Sequence, residues 1–482
     1  MPHQLQITVS LIEKKADKEE MVQVLSCVAR DLPEKPLRIE EIEQLVVEAG
    51  HVVRKEGFFR TLEFYDARLS QKRKHIDRDC RVTLAGKKPL VIASSVGREQ
   101  MQRQRCLCDT CDCYFVPFNE LLEDRGNLYI TDLLKEMSLE QVKEASYRQS
   151  HKQVQLQTGD DQIISQRELE KIAVEAGIGI RSLEIAVAEK ELEKAGVDAQ
   201  QVRQMLGLAQ PVEIDYAYDG VATPPLPQEL QSSGEPEVPQ EIPMEVQEDV
   251  IKASLDGVLV RKQRKRKNWI ELAVGDVRDG QLRQFVSAGN WLDFVVKLMA
   301  VLLRWGADQR PVVLFVDGAE ILKCVLETLR HFVAEVYMIL DWYHLTKKCK
   351  ERLSMACKGR EHRKRWLKII MPLLWEGQVA KAIWRLRALK QEARNPEQVQ
   401  KLIAYLQRNQ AFIPNYKRRK ELGLTNGSHR AEKACDLLVS KRMKDEGMHW
   451  NEAGADAICA LRTVSRNGMW RRFFAKKDRF AA

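Results

Sequence analysis

The chain has 482 residues, 44% of them hydrophobic, enough for two to four domains with buried cores and too apolar for a disordered or fibrous polymer. Its formal charge is +9, from 78 Lys and Arg against 69 Asp and Glu, which points to an anionic partner. Eleven cysteines without a secretory signal after Met1, and no apolar run of the roughly 18 residues that span a bilayer, argue against a secreted disulfide scaffold and against a membrane partner. The expectation is a cytoplasmic protein.

In chain order, residues 1–140 read as mostly helical, from apolar spacing over 21–28 and 39–47. Within this region lies Cys106-Leu-Cys108-Asp-Thr-Cys111-Asp-Cys113. Cys108-x-x-Cys111 has the spacing of one knuckle of a tetrahedral zinc site, with Cys106 and Cys113 as substitutes and His75 and Cys80 as the nearest second knuckle. The alternative is a tight loop of reduced thiols. Residues 141–210 form a second helical region with a helix-turn-helix pattern. Ser165 and Glu168 make a capping box, Gly177-Ile-Gly179 reads as the turn, and a second helix follows over 181–194. Glu184, Glu189, Glu191 and Glu193 suit a helix between phosphates poorly, so an ordinary helical hairpin competes with DNA reading here. Residues 211–249 hold seven prolines and ten acids without a Lys or Arg, the composition of an extended linker. The rest of the chain is therefore more basic than the total charge shows.

Two unbroken apolar runs follow, 311–316 ending in Asp317 and 336–340 ending in Asp341. Both read as strands buried on two faces. Ile321, Leu322, Val325, Leu326 and Leu329 between them have helical spacing, and a strand-helix-strand crossover sets both strands parallel with their carboxyl ends on one rim. Upstream, 250–260 is a strand-like run carrying Asp256-Gly257. It continues into a hairpin with a basic tip of Arg261, Lys262, Arg264, Lys265, Arg266 and Lys267, suited to holding a phosphate backbone. Downstream, Gly427-Ser-His429-Arg430-Ala-Glu432 opens a helix. An Asp-Gly after a strand is also a common turn, but several carboxylates converging on one sheet end make an oxygen site for a divalent cation. Residues 346–425 read as a helical insertion whose Trp366, Trp375 and Trp384, among Lys and Arg, either pack a small core or stack on unpaired bases.

Seven blocks in order carry a resemblance: Ser254-Leu-Asp-Gly-Val, Asn268-Trp-Ile-Glu-Leu-Ala-Val-Gly, Val316-Asp-Gly-Ala-Glu, Ile339-Leu-Asp-Trp-Tyr-His-Leu, Gly427-Ser-His-Arg-Ala-Glu-Lys, Arg442-Met-Lys-Asp-Glu-Gly-Met-His-Trp and Leu461-Arg. Together they resemble the bacterial insertion-sequence DDE transposases related to the Mutator group. The resemblance implies a multidomain protein with an α/β ribonuclease-H-like catalytic domain over 250–345 and 426–482, interrupted by the insertion. It implies Asp256, Asp317 and Glu432 as ligands of Mg²⁺ or Mn²⁺, with Asp341 and His344 supporting the site and His429 and Arg430 near DNA. The implied partners are terminal inverted repeats, target DNA and at least one further copy of the chain, in the nucleoid. One departure stands out: the family reads Gly-Ser-Gly where this chain has Gly427-Ser-His429. A triad of Asp317, Asp341 and Glu432 is the alternative set; a structure-selective nuclease or a non-catalytic DNA-binding protein are the alternative functions.

Overall fold

A computed structural model describes residues 3–15, 18–32, 37–72, 81–123, 126–208, 249–263, 268–427, 429–444 and 448–474. The expected linker, His75 and Cys80, and Arg264 to Lys267 at the basic tip lie outside the described residues, apart from Asp249 at the linker's end. The chain divides into two units, Met1–Ile172 and Ala173–Ala482.

The first unit is mixed, not mostly helical. Strands β1 (His3–Lys15) and β2 (Lys18–Leu32) form an antiparallel hairpin, followed by the long helix α1 (Ile39–Lys72). Strands β3 (Val82–Ser94), β4 (Gly97–Cys108), β5 (Cys113–Phe115) and β6 (Leu128–Ile130) make a sheet of order β5-β4-β3-β6, with helices α2 (Asp132–Val142) and α3 (Tyr147–Thr158) after it. The helical reading of 21–28 fails because an eight-residue apolar pattern fits either period. Its β-branched Val22, Val24 and Val28 favour a strand once β1 supplies the pairing, and Val28 lies across from Ile7 and packs on Ala49 and Val53.

The helix-turn-helix expectation is also corrected. Residues Gln166–Lys194 form one continuous helix, α4, running through Gly177 and Gly179. Its start is as expected: Ser165 N donates to Glu168 Oε2 and Glu168 N to Ser165 Oγ, at 2.5 and 3.2 Å. Gly177 serves packing rather than a turn, since a Cβ there would lie 2.3 Å from Ala457 Cα. The second half of α4 is held in the interior of the second unit. Arg181, fully desolvated, pairs with Glu184 (2.9 Å) and Asp456 (2.8 Å) and donates to Ser287 O, while Lys297 reaches the same Glu184 at 2.5 Å. Buried charges persist only when paired in this way, so this segment does not present a recognition helix. Helix α5 (Ala199–Leu208) follows.

The second unit is built on β7 (Ile251–Arg261), β8 (Trp269–Asp279), β9 (Leu282–Ala288), β10 (Val312–Val316) and β11 (Val336–Leu340), in the order β11-β10-β7-β8-β9. The first three strands are an antiparallel meander; β10 and β11 run parallel to β7 and to each other. Helices α6 (Trp291–Arg304) and α7 (Glu320–Arg330) cover one face through Ile251, Ala253, Leu255, Leu314 and Val316. The other face of β10 and β11, through Val313, Phe315, Tyr337 and Ile339, shares one core with α8 (Trp342–Ala356), α9 (Arg360–Trp375), α10 (Val379–Glu392), α11 (Pro396–Arg408) and α12 (Tyr416–Glu421). The helical insertion is therefore packed on the sheet. Trp366 and Trp375 belong to that core, Trp375 stacking on Tyr416, whereas Trp384 is 61% exposed beneath the Arg385 guanidinium. Helix α13 (His429–Cys435) passes through a π turn over Asp436–Ser440 into α14 (Lys441–Met443); α15 (Glu452–Arg466) and α16 (Trp470–Phe474) close the unit.

The two glycines of α4 give opposite expectations. Gly177→Ala is overpacked against the α15 backbone and is expected to lose about 1–3 kcal/mol in urea denaturation. Gly179→Ala, with nothing within 4 Å, is expected to gain roughly 0.5–1 kcal/mol, as in an exposed helix interior. Destabilisation by Gly179→Ala would restore the turn.

Candidate active site

The pairing register brings the acids together. β7 and β10 are aligned Val312↔Ile251 through Phe315↔Ser254, and β10 and β11 Val312↔Val336 through Val316↔Leu340. Continued by one or two residues, the same register sets Asp256, Asp317 and Asp341 side by side on three adjacent strands, all on the face opposite α6 and α7. Asp256 lies within β7, which runs unbroken through Gly257 to Arg261, so the strand does not end at the Asp-Gly.

Burial divides their roles. Asp341, 1% exposed, caps α8 by accepting from His344 N at 2.9 Å, which fixes the helix start at the end of β11. Asp317 Oδ1 accepts from Ala319 N at 2.8 Å, and Gly318 holds φ +87° where a Cβ would strike Leu340. Asp256 Oδ1 takes the Gly257 N–H at 2.8 Å, and Cys435 Sγ of α13 lies 3.5 Å from Oδ2. Burial, and then the negative charge of Asp317, push the Asp256 carboxyl up to about 6. Its charge in turn adds to burial in pushing the Cys435 thiol well up.

Glu432 stands on the first turn of α13, which packs beside β7 and β8. Its carboxylate is partly exposed and lies 3.8 Å from His344 Nε2; Nδ1 of the same ring is 3.8 Å from Asp341 Oδ1 and has no hydrogen-bond partner among the described residues. His344 therefore bridges the buried cap and the exposed acid, close enough for its charge to act on Asp256.

Two residues on α8 and α11 join the site without having been singled out in the sequence. Lys348, one helical turn after His344, has its amine pushed down by burial and then by Arg352, and Asp317 acts on it in the opposite sense. Tyr405 lies under Lys348, 6.0 Å from amine to ring centre. The i, i+4 spacing from His344 is the signal for Lys348; nothing local marks Tyr405.

The remaining candidates separate from this site. Arg261 stacks on Trp269 at 6.0 Å, and Lys262 pairs with Glu452 where the hairpin meets Trp450. His429 begins α13, its side chain outside the described residues, and Arg430 follows, half-buried. Cys106 and Cys108 are buried on β4, while Cys111 and Cys113 are exposed. Hydrogen bonding with Cys108 is the first cause, ahead of burial and Cys113, that pushes the Cys111 thiol up to about 11, so Cys111 favours the protonated form.

Among the described residues no group of three or more His, Cys, Asp or Glu is arranged to hold a metal ion. The cysteines thus do not make a zinc set there. Asp256 and Asp317 are the right donors for a hard cation, and the charge of Asp317 adds to burial in raising the Asp256 carboxyl. Glu432, turned to His344, does not complete a third ligand in this arrangement.

The raised Asp256 carboxyl has a stability consequence. The folded state holds that proton more tightly than the unfolded chain, so stability falls as pH rises from about 4 to about 6. With chelator present, Asp256→Asn is expected to exceed wild type by about 1–3 kcal/mol at pH 8, the gain vanishing near pH 4, in urea titrations. A gain independent of pH would contradict the assignment.

Residues 306–479 match the model of a family described as uncharacterised, UPF0236. The matched stretch contains Asp317, Asp341, His344 and Glu432 and stops short of Asp256. No curated protein matches the chain.

Proposed function

We propose that the chain is a DNA transposase whose second unit is a ribonuclease-H-like nuclease and strand-transferase. The observation that carries this reading is the sheet order β11-β10-β7-β8-β9, with Asp256 and Asp317 at the same level of neighbouring parallel strands and Glu432 on a late helix beside them. The seven sequence blocks support it independently.

In this reading Asp256 and Asp317 hold a divalent cation, and Glu432, backed by His344, faces the solvent side of the pair. Such a cation would activate the attacking oxygen and stabilise the leaving 3′ oxygen. Asp341 is a positioning residue, fixing α8 and with it His344. Glu432 accepts a proton of the attacking water as the water oxygen bonds to phosphorus, the bond from phosphorus to the 3′ oxygen breaks, and that oxygen takes a proton from solvent, leaving a 3′ hydroxyl and a 5′ phosphate. The freed 3′ hydroxyl then attacks a phosphodiester of target DNA in the same site, one ester bond forming as another breaks. Joining two ends calls for at least two copies of the chain.

The test is cleavage of duplex DNA carrying the repeats that flank the gene. Wild type is expected to nick at the repeat ends only with Mg²⁺ or Mn²⁺, and Asp317→Asn to fall by at least about 10³-fold while still binding DNA. Cleavage by Asp317→Asn at the wild-type rate would overturn the proposal.

A further inference from the structure

A row of cations crosses the same sheet face as Asp256. In the unbroken register, Lys252 of β7 lies directly across from Arg278 of β8, and Arg278 directly across from Arg283 of β9. Like charges directly opposite one another destabilise a sheet, and here there are three in line. One carboxylate, Asp276, fully buried, is shared by both arginines at 3.1 and 2.9 Å. Arg283 also lies over the Phe285 ring at 4.1 Å, which fixes its fork.

Helix α13 adds a fourth cation. Arg430 has its guanidinium pushed down by burial and then by Arg278, with Arg283 adding to this against the opposing charge of Asp276. The Lys252 amine is pushed down by burial and then by Arg430 and Arg419, with no acid among the causes. Neither Lys252 nor Arg430 is in an ion pair with a carboxylate among the described residues. Three cations, Arg278, Arg283 and Arg430, thus share one carboxylate, with Lys252 beside them, and the side chains of Arg278 and Arg283 remain 28% and 33% exposed. A fold keeps such crowding where an anion relieves it. Lys252 and Asp256 are four residues apart on one strand face, about 13 Å, or roughly four base-pair steps of duplex DNA.

We propose that Lys252, Arg278, Arg283 and Arg430 form a seat for the sugar-phosphate backbone of DNA, leading along the sheet face to Asp256. The inference rests on the transposase reading for its ligand and goes beyond it in assigning the surface. The seat reads charge and spacing, not sequence.

The test uses the full chain with Lys252→Gln and Arg430→Gln combined, since neither residue leaves a buried acid unpaired. Fluorescence anisotropy with the repeat-end duplex, across roughly 50–200 mM salt, is expected to give a log Kd against log salt slope lower than wild type by about two. Stability in urea is expected to equal or exceed wild type, because repulsion has been removed. If the double variant is less stable, Lys252→Gln alone is expected to lower the slope by about one. An unchanged slope overturns the seat. So does a loss of binding to phosphatidylserine vesicles with the DNA slope unchanged, which would mark a membrane contact. DNA binding with the expected slope loss but no cleavage by wild type upholds the seat and overturns the transposase reading; cleavage with an unaltered slope does the reverse.

Discussion

The second unit depends on one constraint: three parallel strands in strict register deliver carboxylates at one level. β7, β10 and β11 are joined by continuous backbone pairing, so Asp256, Asp317 and Asp341 are set side by side by the sheet and not by their own side chains. Like charges brought this close are costly in a low-dielectric site. The protein meets that cost three ways: Asp341 becomes a helix cap, Asp256 is raised toward neutrality, and Asp317 accepts a backbone amide.

The surroundings gather further ionisable groups about these acids. Helix α8 begins at Asp341 and carries His344 and Lys348 along the site, while α13 brings Glu432 and Cys435 from the other side. His344 is held at equal distance from a buried acid and an exposed one. A cation between Asp256 and Asp317 would offset the repulsion that adds to burial in raising Asp256, which links the electrostatics of the bare chain to the proposed use of the site.

Legibility in the sequence follows the range of the interactions. The runs 311–316 and 336–340 were readable as strands because burial on both faces leaves no polar position, and the helix between them gave the parallel rim. The capping box at Ser165 was readable because it is closed within four residues. Gly177 misled, since a glycine that permits contact with Ala457 looks the same in sequence as one that makes a turn. Strand β2 misled because its partner β1 decided between two periods. Lys348 and Tyr405 become site residues only when two helices are laid over Asp317, and the cation row needs the register of three strands at once, which no local pattern encodes.

The central claim is that Asp256 and Asp317 act together as a divalent-cation site. Calorimetric titration of Mn²⁺ into the full chain at pH 8 tests it most directly, with wild type, Asp256→Asn, Asp317→Asn and Asp341→Asn compared. Binding is expected to fall by at least about tenfold in the first two variants and to be retained in Asp341→Asn, where only a helix cap has changed. Equal Mn²⁺ affinity in wild type and Asp317→Asn would contradict it.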